Sequence, residues 1–151
     1  MTPMSNHHQP PRTWWPANHS DAKALALKLR GDGAGNQLFE LLALAMAMHD
    51  WGIFSAAVEA LCDVNARAIK TMLENQKFDI GWTLLYGSTG MPRELMPLFV
   101  EILKVARQFE LENGHKMAPK ALRLAIIQHA LASPALRRLQ IPAELKTALL
   151  D

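Results

Sequence analysis

Cysteine is almost absent from this sequence, and so are long apolar runs. The only cysteine is Cys62, so no disulfide can form within the chain, which is typical of a reducing compartment. The longest apolar run, residues 38–48, contains Glu40 and is well short of the roughly 20 residues needed to cross a bilayer. Prolines interrupt the first residues, so we expect no secretory leader. These features predict a soluble, cytoplasmic protein without a membrane-spanning segment.

Net charge is also small. The 16 Lys and Arg residues exceed the 14 Asp and Glu residues by only two, which is too little to indicate nucleic-acid binding by itself. The distribution of charge is more informative, because residues 104–146 carry eight basic side chains against three acidic ones. Only the C-terminal third of the chain can therefore form a basic surface.

The sequence has no stretch in which polar residues alternate with β-branched apolar ones, as a half-buried strand requires. From Ser20 onward, apolar residues instead recur at helical spacing, as in Leu38, Leu41 and Leu42. We predict an all-α fold with a single domain over residues 20–151. Its expected architecture is a compact bundle or orthogonal array of about seven to eight short helices built from helical hairpins.

Local sequence features place the helix boundaries. A residue whose side chain caps a helix N-terminus, or a proline suited to a first turn, precedes each apolar stripe. The predicted starts are at Ser20, Asn36, Asp50, Asn65, Pro92, Pro119 and Pro142. We expect the first helix to stop at Gly31. Pro97 would lie inside the helix that follows Pro92, which predicts either a kink or a later start of that helix.

The first nineteen residues show neither the helical nor the strand period. Prolines, histidines and polar residues surround an isolated Trp14-Trp15 pair, and we predict a mobile arm over residues 1–19. Because they lie outside any periodic segment, Trp14 and Trp15 are candidate anchors that dock either on their own domain or on a partner.

An ordered series of motifs lies between residues 38 and 107. It comprises the helical stretch 54–61, residues 69–73, Leu84-Leu85, Gly90-Met91-Pro92 and Met96-Pro97-Leu98-Phe99. This series resembles the bacterial helical family catalogued as domain of unknown function 2336, whose members place a helical hairpin before a short helix, a Gly-apolar-Pro turn and an apolar-Pro-apolar-Phe helix start. The family has no assigned activity, so the resemblance implies a helical fold and a bacterial setting and adds nothing about catalysis.

Motifs for catalysis, cofactors and metals are incomplete. Gly31, Gly33 and Gly35 lack the preceding strand and the Lys-Ser/Thr pair of a phosphate-binding loop. The six histidines lack the spacing of a helical zinc site. The carboxylates are dispersed over different predicted helices, whereas acid–base catalysis needs two in one cleft. We therefore predict no catalytic, cofactor or metal site and a protein that is not an enzyme.

Binding of another macromolecule is the remaining hypothesis. The leading prediction is a non-enzymatic protein–protein interaction or regulatory adaptor domain, and formation of homo-oligomers stays open. The alternative is a nucleic-acid-binding protein that uses a basic C-terminal face, although the same residues could equally be the solvated side of a helix whose buried side carries Leu122, Ile126 and Ile127. The candidate partner-binding residues are Trp14, Trp15, Lys116, Lys120, Arg123, Arg137 and Arg138.

Overall fold

The computed structural model describes residues 10–74, 78–112 and 117–151, with residues 78–80 described for the backbone alone. Eight α-helices occupy these ranges, which contain no β-strand. The helices are α1 (His19–Gly31), α2 (Gly35–Ala47), α3 (Trp51–Cys62), α4 (Ala66–Glu74), α5 (Phe78–Tyr86), α6 (Met96–Glu112), α7 (Pro119–Leu131) and α8 (Ala143–Leu150). The all-helical prediction is confirmed. Within the described ranges, no helix has the length and apolarity that crossing a membrane demands.

The predicted caps are correct for α3 and α4 and wrong for α1. Asp50 accepts a hydrogen bond from the backbone N–H of Ile53 at 3.2 Å, and Asn65 accepts one from Ala68 at 2.8 Å. At α1, Asn18 rather than Ser20 is the cap, and its side chain accepts from the N–H of Asp21 at 2.8 Å. Asn and Ser are comparable caps, so the sequence left this choice open.

Glycine and proline shift two other boundaries. Helix α1 continues through Gly31, and Gly33 takes the left-handed conformation at φ +69°. Helix α2 begins at Gly35, so Asn36 lies inside the helix instead of capping it. A 3-10 turn, Arg93–Leu95, precedes α6. The α-helix itself begins at Met96, so Pro97 is its second residue. An N–H at that position has no partner within the helix, so a proline is tolerated there. The predicted later start of the helix is confirmed.

Helix α2 lies at the centre of the molecule. Leu38, Phe39 and every residue of 41–47 are fully buried, because α1, α3, α6, α7 and α8 all pack against this helix. Burial on all sides explains why α2 is apolar around its whole circumference rather than along one stripe. Glu40 is its only charged residue.

Glu40 is neutralised from the N-terminal segment. The Nε of Arg12 donates to the Glu40 carboxylate at 2.6 Å, and the Arg12 guanidinium also donates to the carbonyl of Ala148 in α8. Both side chains are mostly shielded from water, at 15% and 12% exposed for Arg12 and Glu40. The pair therefore fastens the N-terminal segment to both α2 and α8.

Residues 10–18 pack on the domain. Trp14 and Trp15 are half-buried against the core with ring centroids 6.1 Å apart, and Pro16 is buried. Where the sequence predicts a mobile arm, these residues have both apolar and polar contacts with the domain, through the two indole rings and the Arg12 pair. Residues 1–9 of the predicted arm lie outside the described residues.

An aromatic cluster joins α3, α5 and α6. Phe54 lies between Trp82 and Phe99, with ring centroids 5.4 and 6.3 Å away, and Tyr86 contacts Phe99 at 5.3 Å. Such pairs contribute beyond the apolar area that they bury. The cluster holds the inner face of α3 against α5 and α6. The opposite face of α3 takes no part in these aromatic contacts.

A test of the N-terminal attachment is the substitution Arg12→Ala. It leaves the shielded Glu40 carboxylate without its partner, and we expect a loss of about 2 kcal/mol in the free energy of unfolding. The matched control is Lys28→Ala in the exposed Lys28–Asp32 pair, which should leave the free energy of unfolding nearly unchanged because water screens that pair. Urea unfolding followed by circular dichroism measures both, and equal effects would contradict this role for Arg12.

A second stability test concerns the turn before α6. Gly90 has φ +86°, and a Cβ there would lie 2.7 Å from Cγ of Arg30. Gly90→Ala should therefore cost about 1–3 kcal/mol through strain and crowding. Gly87 in the same turn has no positive φ and meets nothing closer than 3.6 Å, so Gly87→Ala should change stability by less than about 0.5 kcal/mol. Thermal unfolding of the two variants gives the comparison.

Candidate functional site

A groove of about 600 Å³ opens between α1, α3, α4 and the C-terminal half of α6. We call it the α3 groove, because α3 forms its floor. The lining residues are His19 and Lys23 of α1, Trp51, Gly52, Ser55, Ala56 and Glu59 of α3, Ala66, Lys70, Leu73 and Glu74 of α4, and Arg107 and Glu110 of α6. The volume is in the range of pockets that hold a small molecule or a few side chains of a protein partner.

The floor of the α3 groove consists of small residues on one face of α3. Gly52, Ser55, Ala56 and Glu59 follow the spacing i, i+3, i+4, i+7, which places them in one row on a helix. A Cβ at Gly52 would lie only 2.6 Å from Nε2 of His19. Glycine at this position therefore allows the first residue of α1 to lie directly against α3, and the small side chains keep the groove open.

One wall of the groove is held together by Glu59. Its carboxylate forms an ion pair with Lys23 of α1. The hydrogen bond from Lys23 is the largest cause that lowers the pKa of Glu59 below its ordinary value, and the nearby backbone of Ala66, the first residue of α4, contributes a smaller lowering. The Glu59 carboxylate thus joins α1 to α3.

The other end of the groove is held by Trp51. The indole Nε1 donates to the Glu110 carboxylate at 2.8 Å, and Glu110 also pairs with Arg107. The indole stacks on His49 with the rings 17° from parallel, and Nε2 of His49 lies 2.8 Å from the carbonyl of Ala106. These contacts fix the Trp51 ring against α6, so this end of the groove is rigid.

The groove does not present an assembled catalytic set among the described residues. Glu59 and Glu110 are engaged in ion pairs, and Ser55 shares no hydrogen bond with His19. Within the described ranges, no three His, Cys, Asp or Glu side chains converge as metal ligands. Lys70 is exposed and makes no ion pair in these ranges, so it is the cation of the groove that is free to meet an incoming acidic group.

The predicted partner-binding residues lie elsewhere, and one of them is misplaced. The prediction that Arg123 belongs to an exposed basic face is wrong, because this residue is only 5% exposed. Its Nη2 donates to the Asp151 carbonyl at 3.2 Å, and burial, with a smaller contribution from Arg12, lowers the pKa of Arg123. Helix α7 packs against α2, α6 and α8, so its buried side is wider than the single stripe expected from the sequence.

The remaining predicted cations do not form one continuous surface. Lys120, Arg137 and Arg138 are exposed, and Lys116 lies outside the described residues. Lys120 is in the first turn of α7, whereas Arg137 and Arg138 follow the other end of this helix, about 16 Å along its axis. Trp14 and Trp15 are half-buried and do not line the α3 groove.

Sequence analysis missed the α3 groove. The one available indication was the row of small residues at helical spacing opposite the apolar face of Phe54, Val58 and Leu61. That row becomes a groove only because α1 and α4 stand on either side of it, and no local pattern specifies their positions.

The role of Glu59 leads to a test based on pH. Because folding lowers the pKa of Glu59, its ionised form stabilises the fold above the ordinary carboxylate range, and this contribution is lost as the pH falls through the lowered value. In an NMR titration of the side-chain carboxyl, Lys23→Ala should move the pKa of Glu59 back upward. Lys28→Ala on the same helix should leave it unchanged. An unaltered pKa in Lys23→Ala would contradict the proposed pairing.

Comparison with protein-family models, with curated proteins and with solved structures finds no match to this chain. The resemblance to domain of unknown function 2336 stays a prediction.

Proposed function

We propose that this protein is a non-enzymatic adaptor that binds a segment of another protein in the α3 groove. The observation that supports this proposal is an open groove of about 600 Å³ with short side chains on its floor and two ion pairs, Lys23–Glu59 and Arg107–Glu110, on its rim. A rim of this kind tolerates a neighbouring chain without leaving an isolated charge buried.

The floor favours an apolar segment that carries polar groups at its edges. Ser55 and Ala56 present short side chains to a partner, and Leu73 and the Trp51 ring add apolar surface that a partner would cover. Lys70 on one wall can pair with an acidic side chain of that partner. Docking of an amphipathic segment into a groove between helices uses these same elements.

Nucleic-acid binding has less support. Affinity for a phosphate backbone comes from several cations that act together along one surface. Here Arg123 is buried, and Lys120 is separated from Arg137 and Arg138 by the length of α7. We therefore retain the protein-binding hypothesis as the proposal.

The cellular location and the origin of the protein are part of the same proposal. Cys62 is a free, half-buried thiol whose pKa is raised by burial, which suits a structural cysteine in a reducing compartment. We propose a cytoplasmic location on this basis and a bacterial origin on the family resemblance. A second copy of the chain is also a candidate occupant of the groove.

Filling the groove tests the proposal. Ser55→Trp places a large ring on the floor, whereas Gln128→Trp adds the same ring at an exposed position of α7. We expect a partner protein retained from an extract of the source cells by the original protein and by Gln128→Trp, and depleted about tenfold or more by Ser55→Trp. Sedimentation of the purified variants reports whether the occupant is a second copy.

The same two variants can also contradict the proposal that the α3 groove binds a partner. If both retain the same proteins as the original chain, and if both show circular dichroism spectra of a folded helical domain, the α3 groove does not bind the partner. A turnover activity that Ser55→Trp abolishes would replace the adaptor proposal with an enzyme.

A further inference from the structure

A second concave surface lies where the chain passes from α7 to α8. A 3-10 turn, Pro134–Leu136, and an irregular stretch through Pro142 connect the two helices, and they enclose a hollow of about 490 Å³. We call this the α7–α8 hollow. Its side chains include the apolar Leu131, Leu139 and Ile141, together with Ser133, Arg137 and Lys146.

All charged side chains that line the α7–α8 hollow are cationic. Arg137 and Lys146 are exposed, and within the described ranges neither side chain takes part in an ion pair or hydrogen bond. Glu144, close to Lys146 in sequence, is exposed and does not line the hollow. The hollow therefore carries positive charge that the chain itself does not compensate.

The helix dipoles account for neither of these cations. Arg137 follows the end of α7 by six residues, beyond the one turn over which a helix dipole acts. Lys146 lies in the first turn of α8, where the dipole favours negative charge instead. Neither charge is therefore stabilised by the helix nearest to it in sequence.

Apolar and hydrogen-bonding groups accompany the charge. Leu131, Leu139 and Ile141 are only partly buried against the core, so their outer surfaces remain available to a partner. The Ser133 Oγ accepts a hydrogen bond from the N–H of Ala135 at 3.2 Å, and its own hydrogen remains free to be donated. The hollow is thus mainly polar, with cations and a hydroxyl donor beside a smaller apolar part.

We infer that the α7–α8 hollow binds an acidic segment of a partner protein, with an apolar side chain on Leu139 and Ile141 and carboxylates at Arg137 and Lys146. A phosphate backbone fits less well, because the two cations that line the hollow do not form an extended row. This surface shares no lining residue with the α3 groove, so the inference is independent of the proposed function.

An array of short labelled peptides tests this inference. Its members are rich in glutamate with a single leucine, and matched peptides replace the glutamates by glutamine or the leucine by serine. Binding to the full chain is measured by fluorescence anisotropy at two salt concentrations. We expect saturable binding of a glutamate–leucine peptide that both peptide replacements weaken, because charge and apolar contact act together.

Variants of the protein locate the binding. Arg137→Gln combined with Lys146→Gln should weaken that peptide about tenfold or more, whereas Lys120→Gln, a charge loss outside the hollow, should change it by less than about twofold. Ser55→Trp should have no effect, which separates this surface from the α3 groove. Both cation positions are exposed, so the double variant should retain its unfolding temperature.

Three outcomes would overturn the inference. One is the absence of saturable binding by any peptide in the array. Another is equal affinity of the double variant and the original chain. The third is tighter binding of labelled DNA, or of vesicles containing an anionic lipid, that depends equally on Lys120, Arg137 and Lys146. That result would assign a basic surface that binds phosphate groups.

Discussion

The complete burial of α2 is the constraint on which the other helices depend. A helix that is apolar on every side is stable in water only when other elements enclose it. Five helices do so here, and each large apolar side chain that they cover contributes about 1.5–3 kcal/mol relative to exposure. Glu40 is the exception on this helix, and its charge requires a partner because a shielded carboxylate is costly when unpaired. Arg12 supplies that partner, which draws the N-terminal segment onto the domain.

The same enclosure determines which basic residues remain at the surface. Packing α7 between α2, α6 and α8 turns Arg123 inward, where it donates to the last residue of the chain. Arg137 and Lys146 stay exposed because they lie on the irregular connection and on the outer side of α8. A count of basic residues therefore overstates the charge that a partner can meet. Two of the cations that remain, Arg137 and Lys146, line the α7–α8 hollow, where apolar side chains lie next to them.

Helix α3 shows how one element can serve both the core and a binding surface. Its inner face carries Phe54 into the aromatic cluster, and its outer face carries Trp51, three small residues and Glu59 to the α3 groove. Because the aromatic contacts fix the helix, the outer face has a defined position between α1 and α4. The α3 groove and the α7–α8 hollow then differ in chemistry: two ion pairs lie on the first, and only cations line the second.

The sequence by itself determined the helical fold, most helix boundaries and the caps at Asp50 and Asn65, because these depend on residues within a few positions of one another. The choice of Asn18 over Ser20, the docking of Trp14 and Trp15, the burial of Arg123 and the existence of the α3 groove were decided by the tertiary structure. Each of these depends on which helices become neighbours. That arrangement encloses α2 on all sides. The contacts that produce it join residues that are distant in sequence.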